Sequence, residues 1–157
     1  MEQYLQMLSD SLTKKSKLLD ELSEKTKEQE RLIAESAVDW DAFDHLVEEK
    51  GTLIAEVQKL EEGFDALYGR IREGLSENRS KYRQQISGLQ QQIMTVTEKS
   101  TSLTAMEERN KAQITMKFSQ EKDKIKQGRV STRVATNYYR NMSKINYIDP
   151  QLMDRKK

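Results

Sequence analysis

The chain holds one histidine, His45, and places it beside Asp44, Glu48 and Glu49. Imidazole next to carboxylates raises metal binding or acid–base chemistry as the first question. A metal centre needs several ligands converging on one point, and no second histidine and no cysteine exists to complete a set. His45 is therefore read as a solvated or boundary residue. Glu61 with Glu62, and Glu107 with Glu108, are sequence neighbours that face different directions on a helix, so these runs are read as solvated faces. A di-iron bundle requires Glu-x-x-His motifs, which one histidine does not supply. No glycine-rich phosphate loop, nucleophile elbow or HExxH helix is found. The chain is not expected to be an enzyme, and no catalytic residue, metal ligand, cofactor or small-molecule substrate is expected.

The elements around these residues read as long helices. With 34% charged and 35% hydrophobic residues, one proline and six glycines, the composition suits a long-helix or coiled-coil protein better than a compact α/β domain. A length of 157 residues suits one domain or one elongated unit. The lack of cysteine excludes disulfides and a thiol nucleophile. No apolar run approaches the ~20 residues of a membrane span, and the first residues show no basic stretch leading into an apolar one. A cytoplasmic protein without a membrane span is expected.

From Leu5 the apolar positions step by three and four through Leu8, Leu12, Leu19, Leu22 and Ile33, with Lys15, Thr26 and Gln29 in the intervening seam slots. That spacing predicts a first helix of about 30 residues, its stripe widened by Met7, Leu18 and Leu32. Asp39 is the predicted N-cap of a second helix, with Asp41 and Asp44 near its positive start. There Phe43, Val47, Ile54, Val57, Phe64, Tyr68, Ile71 and Leu75 keep the step, Lys50 and Glu61 occupy seam slots, and Leu46, Leu53, Leu60 and Leu67 lie alongside. Gly69, Gly74 and the following "LSENRSKY" predict an interruption, with Ser76 or Asn78 capping a third helix. That helix follows Tyr82, Ile86, Leu89, Ile93, Val96, Ser100 and Leu103, then shifts phase to Met106, Asn110, Ile114, Phe118 and Ile125, and ends near Gly128.

The expected fold is all-α: an elongated antiparallel bundle of three long helices over 1–127, followed by a partly disordered tail over 128–157. The tail is basic and aromatic. From Lys126 onward there are eight basic and two acidic side chains, a net +6, against −5 for the preceding residues. Val130, Val134, Tyr138, Met142 and Ile145 give the tail an amphipathic helix over 129–146. Such a tail can neutralise phosphates and stack tyrosines on bases. Its charges are nevertheless spread along the chain with no recognition fold, so nucleic acid is not the expected partner.

A third helix from about Asn78 to Gln127 would be ~75 Å long against ~50–55 Å for the other two. It would overhang them, leaving its stripe beyond Leu103 uncovered. The expected partner-binding strip is accordingly Leu103, Asn110, Ile114, Phe118, Val130, Val134, Tyr138 and Met142. Asn110 either fixes register in an apolar seam or faces solvent near a fraying end.

The stretch "LIAESAVDWDAFDHLVEEKGTLIAEVQKLEEGFDAL" resembles the helical hairpin of flagellar export chaperones of the FlgN type, with Glu48, Glu49, Lys50, Leu53, Ile54, Glu56 and Leu60 matching its repeat. "MEERNKAQI", holding Asn110 and Ile114, is similar to a segment late in that family's third helix. Tyr138 or Tyr139, followed by Met153, Asp154, Arg155, Lys156 and Lys157, resembles its tyrosine-bearing tail. The tyrosine is doubled here, and "RNMSKINYIDPQ" stands where many members carry a glycine-bearing link. The resemblance implies a cytoplasmic chaperone of flagellar type III export. Such a chaperone binds the C-terminal helices of hook-filament junction proteins and passes them to the export gate, with Tyr138 or Tyr139 as the gate-docking residue. Two alternatives stand beside it: a FliT-type chaperone for the filament cap protein, and a structural coiled-coil adaptor acting by self-association.

Overall fold

In the computed structural model, which describes residues 1–121, the three-and-four step becomes three α-helices: α1 (Glu2–Ala34), α2 (Trp40–Glu77) and α3 (Arg83–Gln120). The seam of α1 is as expected, because its buried residues are Leu5, Leu8, Leu12, Lys15, Leu19, Leu22, Thr26, Gln29 and Ile33. The steps alternate without a break, as in helices packed along a heptad seam. Of the residues expected to widen this stripe, Leu18 packs against the core while Met7 stays 50% exposed.

Asp39 caps α2. Its carboxylate accepts a hydrogen bond from the Ala42 N–H at 3.1 Å, satisfying one of the backbone donors that a helix start leaves free. Asp39→Ala is expected to lower stability by about 1 kcal/mol, measured as a shift in the urea midpoint at unchanged slope.

The chain departs from expectation at the second connection. α2 runs through Gly69 and Gly74 to Glu77. A helical glycine costs only about 1 kcal/mol relative to alanine, and the seam residues Tyr68, Ile71 and Leu75, all buried, hold this part of the helix in place. Asn78 closes α2 and does not open α3: its backbone N–H donates to the carbonyls of Gly74 and Leu75, and its side-chain amide donates to Gly74 O at 2.8 Å. α3 consequently starts at Arg83, and it stops at Gln120, short of the expected Gln127.

Over the described residues these boundaries leave no overhang. α2 and α3 have 38 residues each, about 57 Å at helical rise. The phase shift also disappears. The α3 seam runs Ile86, Leu89, Ile93, Val96, Ser100, Leu103, Glu107, Asn110 and Ile114, so Glu107 takes the slot expected for Met106.

The helices run up, down and up. α2 is antiparallel to α1, as the Lys15–Glu61 and Lys25–Glu49 pairs show. α3 is parallel to α1, with Ser9 meeting Gln92, Asp20 meeting Lys99 and the Glu35 carbonyl meeting Lys117. α1 packs closely on both neighbours, while longer side chains such as Lys50, Glu107, Phe43 and Phe118 bridge α2 and α3. No helix among the described residues is long and apolar enough to cross a membrane. Ile125 and the whole expected tail, with its helix over 129–146, lie outside the described residues.

Candidate functional site

The heptad seam delivers polar residues to two levels of the core. At one level α1 supplies Thr26 and Gln29, α2 supplies Lys50, and α3 supplies Glu107 and Asn110, none more than 2% exposed. The Lys50 ammonium donates to Glu107 Oε1 at 2.6 Å and to Gln29 Oε1 at 2.7 Å. Asn110 Nδ2 donates to the Thr26 carbonyl at 3.0 Å, and the Thr26 hydroxyl donates to Leu22 O at 2.7 Å. Burial holds Lys50 below the ordinary lysine range, against the Glu107 carboxylate, whose charge and hydrogen bond pull it back up. Glu107 Oε2 and, about two turns away, Ser100 Oγ are buried without a hydrogen-bond partner.

The other level is the Lys15–Glu61 pair, beside a small recess lined by Ser11, Leu12, Leu60, Phe64 and Asp65 with a volume of about 20 Å³. Burial pushes the Glu61 carboxyl above its ordinary value of 4.5, and this outweighs the Lys15 hydrogen bond and charge that act in the opposite sense. A carboxyl raised on folding adds stability that is fully present below its unfolded value and is lost as pH rises through its folded value. Glu61→Gln should therefore flatten the fall in stability as pH rises above about 4.5, as followed by urea unfolding at a series of pH values.

At the end where α1 leads into α2, Trp40 stacks at a tilt on Phe118 with ring centroids 5.0 Å apart, and Phe43 meets both rings edge-on at 5.2 and 6.0 Å. These contacts are worth about 0.5–1.5 kcal/mol per pair beyond the area they bury.

The partner-binding strip expected from the sequence is thus placed differently. Leu103, Asn110 and Ile114 are 1%, 2% and 3% exposed within the chain's own core, and Phe118 sits half-buried in the aromatic cluster. Among the described residues the expectation of an uncovered stripe beyond Leu103 is corrected, because α1 and α2 reach as far as α3 does to Gln120. Contact between Leu103, Asn110 or Ile114 and a partner would require α3 to move aside. Of the two readings of Asn110, the structure shows the seam. Val130, Val134, Tyr138, Tyr139 and Met142 lie outside the described residues.

Glu107, read as solvated, is the residue that sequence reasoning missed. The signal was present, since four residues on from Leu103 is Glu107, and a lysine in the facing seam at Lys50 needs an acid. His45 is exposed, and among the described residues no group of histidines and carboxylates is gathered that would hold a metal. The ionisable groups of the core are bonded to one another, an arrangement suited to fixing helices.

The sequence model of the family described as FlgN protein matches residues 1–138, a span that takes in all three helices and the first part of the tail. Neither the curated proteins nor the solved structures gave a match to the chain.

Proposed function

The chain belongs to the FlgN family of flagellar export chaperones, and from that premise we propose that it binds the C-terminal helices of hook-filament junction proteins in the cytoplasm and hands them to the export gate. The observation that carries this reading is the family match over nearly the whole chain. The bundle is compatible with it, being a three-helix body after which the basic, aromatic tail follows in sequence. Val130, Val134, Tyr138 and Met142 stand at steps of four in that tail. A client helix laid on such a face would bury surface that neither segment buries alone. Tyr138 or Tyr139 would then meet the export gate.

Self-association is the weaker reading. The seam that a second copy was expected to cover is already filled within one chain.

Calorimetry of the full chain with C-terminal peptides of hook-filament junction proteins is the direct test. Binding should weaken about tenfold or more on truncation after Gln127, the effect of losing one or two buried anchors. Unchanged binding removes the tail from the site. Tyr138→Ala and Tyr139→Ala separate capture from handover, because loss of gate docking with client binding intact assigns the tyrosine to handover.

A further inference from the structure

The two halves of α3 are anchored by different chemistry. Its proximal seam residues Ile86, Leu89, Ile93 and Val96 are all apolar and buried. From Ser100 onward polar residues interrupt the seam at Ser100, Glu107 and Asn110, and two of its buried oxygens, Ser100 Oγ and Glu107 Oε2, have no partner. Unsatisfied buried polar atoms weaken an interface, and segments with few apolar contacts open at lower free energy than the rest of a fold. The distal half of α3 is therefore held by polar bonds to a degree that its proximal half is not.

What its release would uncover on α1 and α2 is specific. Thr26 offers a backbone carbonyl, Gln29 a side-chain carbonyl and Lys50 an ammonium, set among Leu22, Ile33, Phe43 and Ile54. Covering that groove with a wholly apolar helix would bury the Lys50 ammonium without the carboxylate that Glu107 brings to it, which is unfavourable. Covering it with a helix that brings a carboxylate to Lys50 restores the bonds that α3 makes.

We propose that the distal half of α3, from Ser100 to Phe118, is an exchangeable placeholder, and that the groove beneath it receives a partner helix carrying a carboxylate and, three residues on, a side-chain amide. The pattern is that of α3 itself: an apolar residue at Leu103, the acid of Glu107, the amide of Asn110 and an apolar residue at Ile114. The inference rests on the chaperone reading for the identity of the occupant as a client, but its recognition chemistry is tested without any client.

The probe is a synthetic peptide of this chain's residues 99–120, labelled and titrated into the full-length protein by fluorescence anisotropy. The peptide is expected to bind, and its Glu107→Gln version to bind about tenfold or more weakly, as for a buried lysine deprived of its acid. In a Lys50→Met chain, that preference for the acidic peptide should vanish. Amide hydrogen exchange on the unliganded chain should be faster across 100–118 than across 86–96. Equal binding of the two peptides, no binding of either, or uniform exchange along α3 would each overturn the proposal. Failure of junction-protein peptides alone would count against the choice of client and leave the exchange result standing.

Discussion

Lys50→Ala is expected to lower the stability of the bundle by about 3–5 kcal/mol, the cost of removing one partner from a buried ion pair. Lys50 and Glu107 have side-chain exposures of 0% and 3%, so the variant strands a buried carboxylate with no solvent to take the place of the ammonium. It also leaves the space of the lysine's aliphatic stem unfilled. The control is Lys25→Ala, whose partner Glu49 is 53% exposed. An exposed pair of that kind is worth about 0.2–1 kcal/mol. Lys50→Met combined with Glu107→Leu should be neutral or stabilising by about 1–4 kcal/mol, since apolar side chains of similar volume need no pairing. Urea unfolding of the three variants measures all of this, and a Lys50→Ala loss no larger than that of Lys25→Ala would mean that water reaches the pair.

The same pair explains why the helices adopt one register. A heptad seam can slip by seven residues and still present a seam residue at every level. Slipping α3 by seven against α2 would set Lys50 opposite Ser100 or Ile114 in place of Glu107, while Glu107 would meet Phe43 or Val57. Each alternative parts the Lys50 ammonium from the Glu107 carboxylate and buries that carboxylate against an apolar residue, so the polar level raises the energy of the wrong alignments more than it lowers that of the right one. The Lys15–Glu61 level does the same for α1 against α2, with Leu8 and Leu22 as the slipped partners of Glu61. Asn110 adds a hydrogen bond to the Thr26 carbonyl and ties α3 to α1 at the level of the Lys50 pair.

The strongest signal in the sequence was periodicity, and it located the seam of α1 residue by residue, including Lys15, Thr26 and Gln29, because position in a heptad decides burial more than side-chain polarity does. The errors came where polarity was allowed to override position. Taking Met106 over Glu107 created a phase shift that α3 does not have, and hid the partner of Lys50. Reading Asn78 as an N-cap lengthened α3 at its start, since an asparagine beside a helix end serves either terminus, and only the Gly74 carbonyl that it meets decides which. A longer α3 then appeared to need an outside partner beyond Leu103. The arrangement of α1 parallel to α3, and with it the convergence of Thr26, Gln29, Lys50, Glu107 and Asn110, depends on contacts some 80 residues apart that no local pattern encodes.

Ile114→Ala is expected to destabilise the bundle by about 2–5 kcal/mol, the range for emptying a fully enclosed aliphatic site, because Ile114 is 3% exposed within the apolar core. Phe118→Ala should have a smaller effect, as its ring is half-buried and meets the cluster mainly through Trp40 and Phe43. Loss of client capture in an Ile114 variant therefore does not by itself make Ile114 a contact residue. The comparison that decides is Leu8→Ala, which empties a site with 0% exposure at the opposite end of the bundle and should lose a similar amount of stability. Capture measured at a temperature where both variants remain folded separates the causes. An equal fall in both would reflect stability, and a fall confined to Ile114→Ala would reflect contact. If α3 yields its place to the client, Ile114→Ala should instead capture more tightly than Leu8→Ala, because apparent affinity rises with the fraction of chains already open.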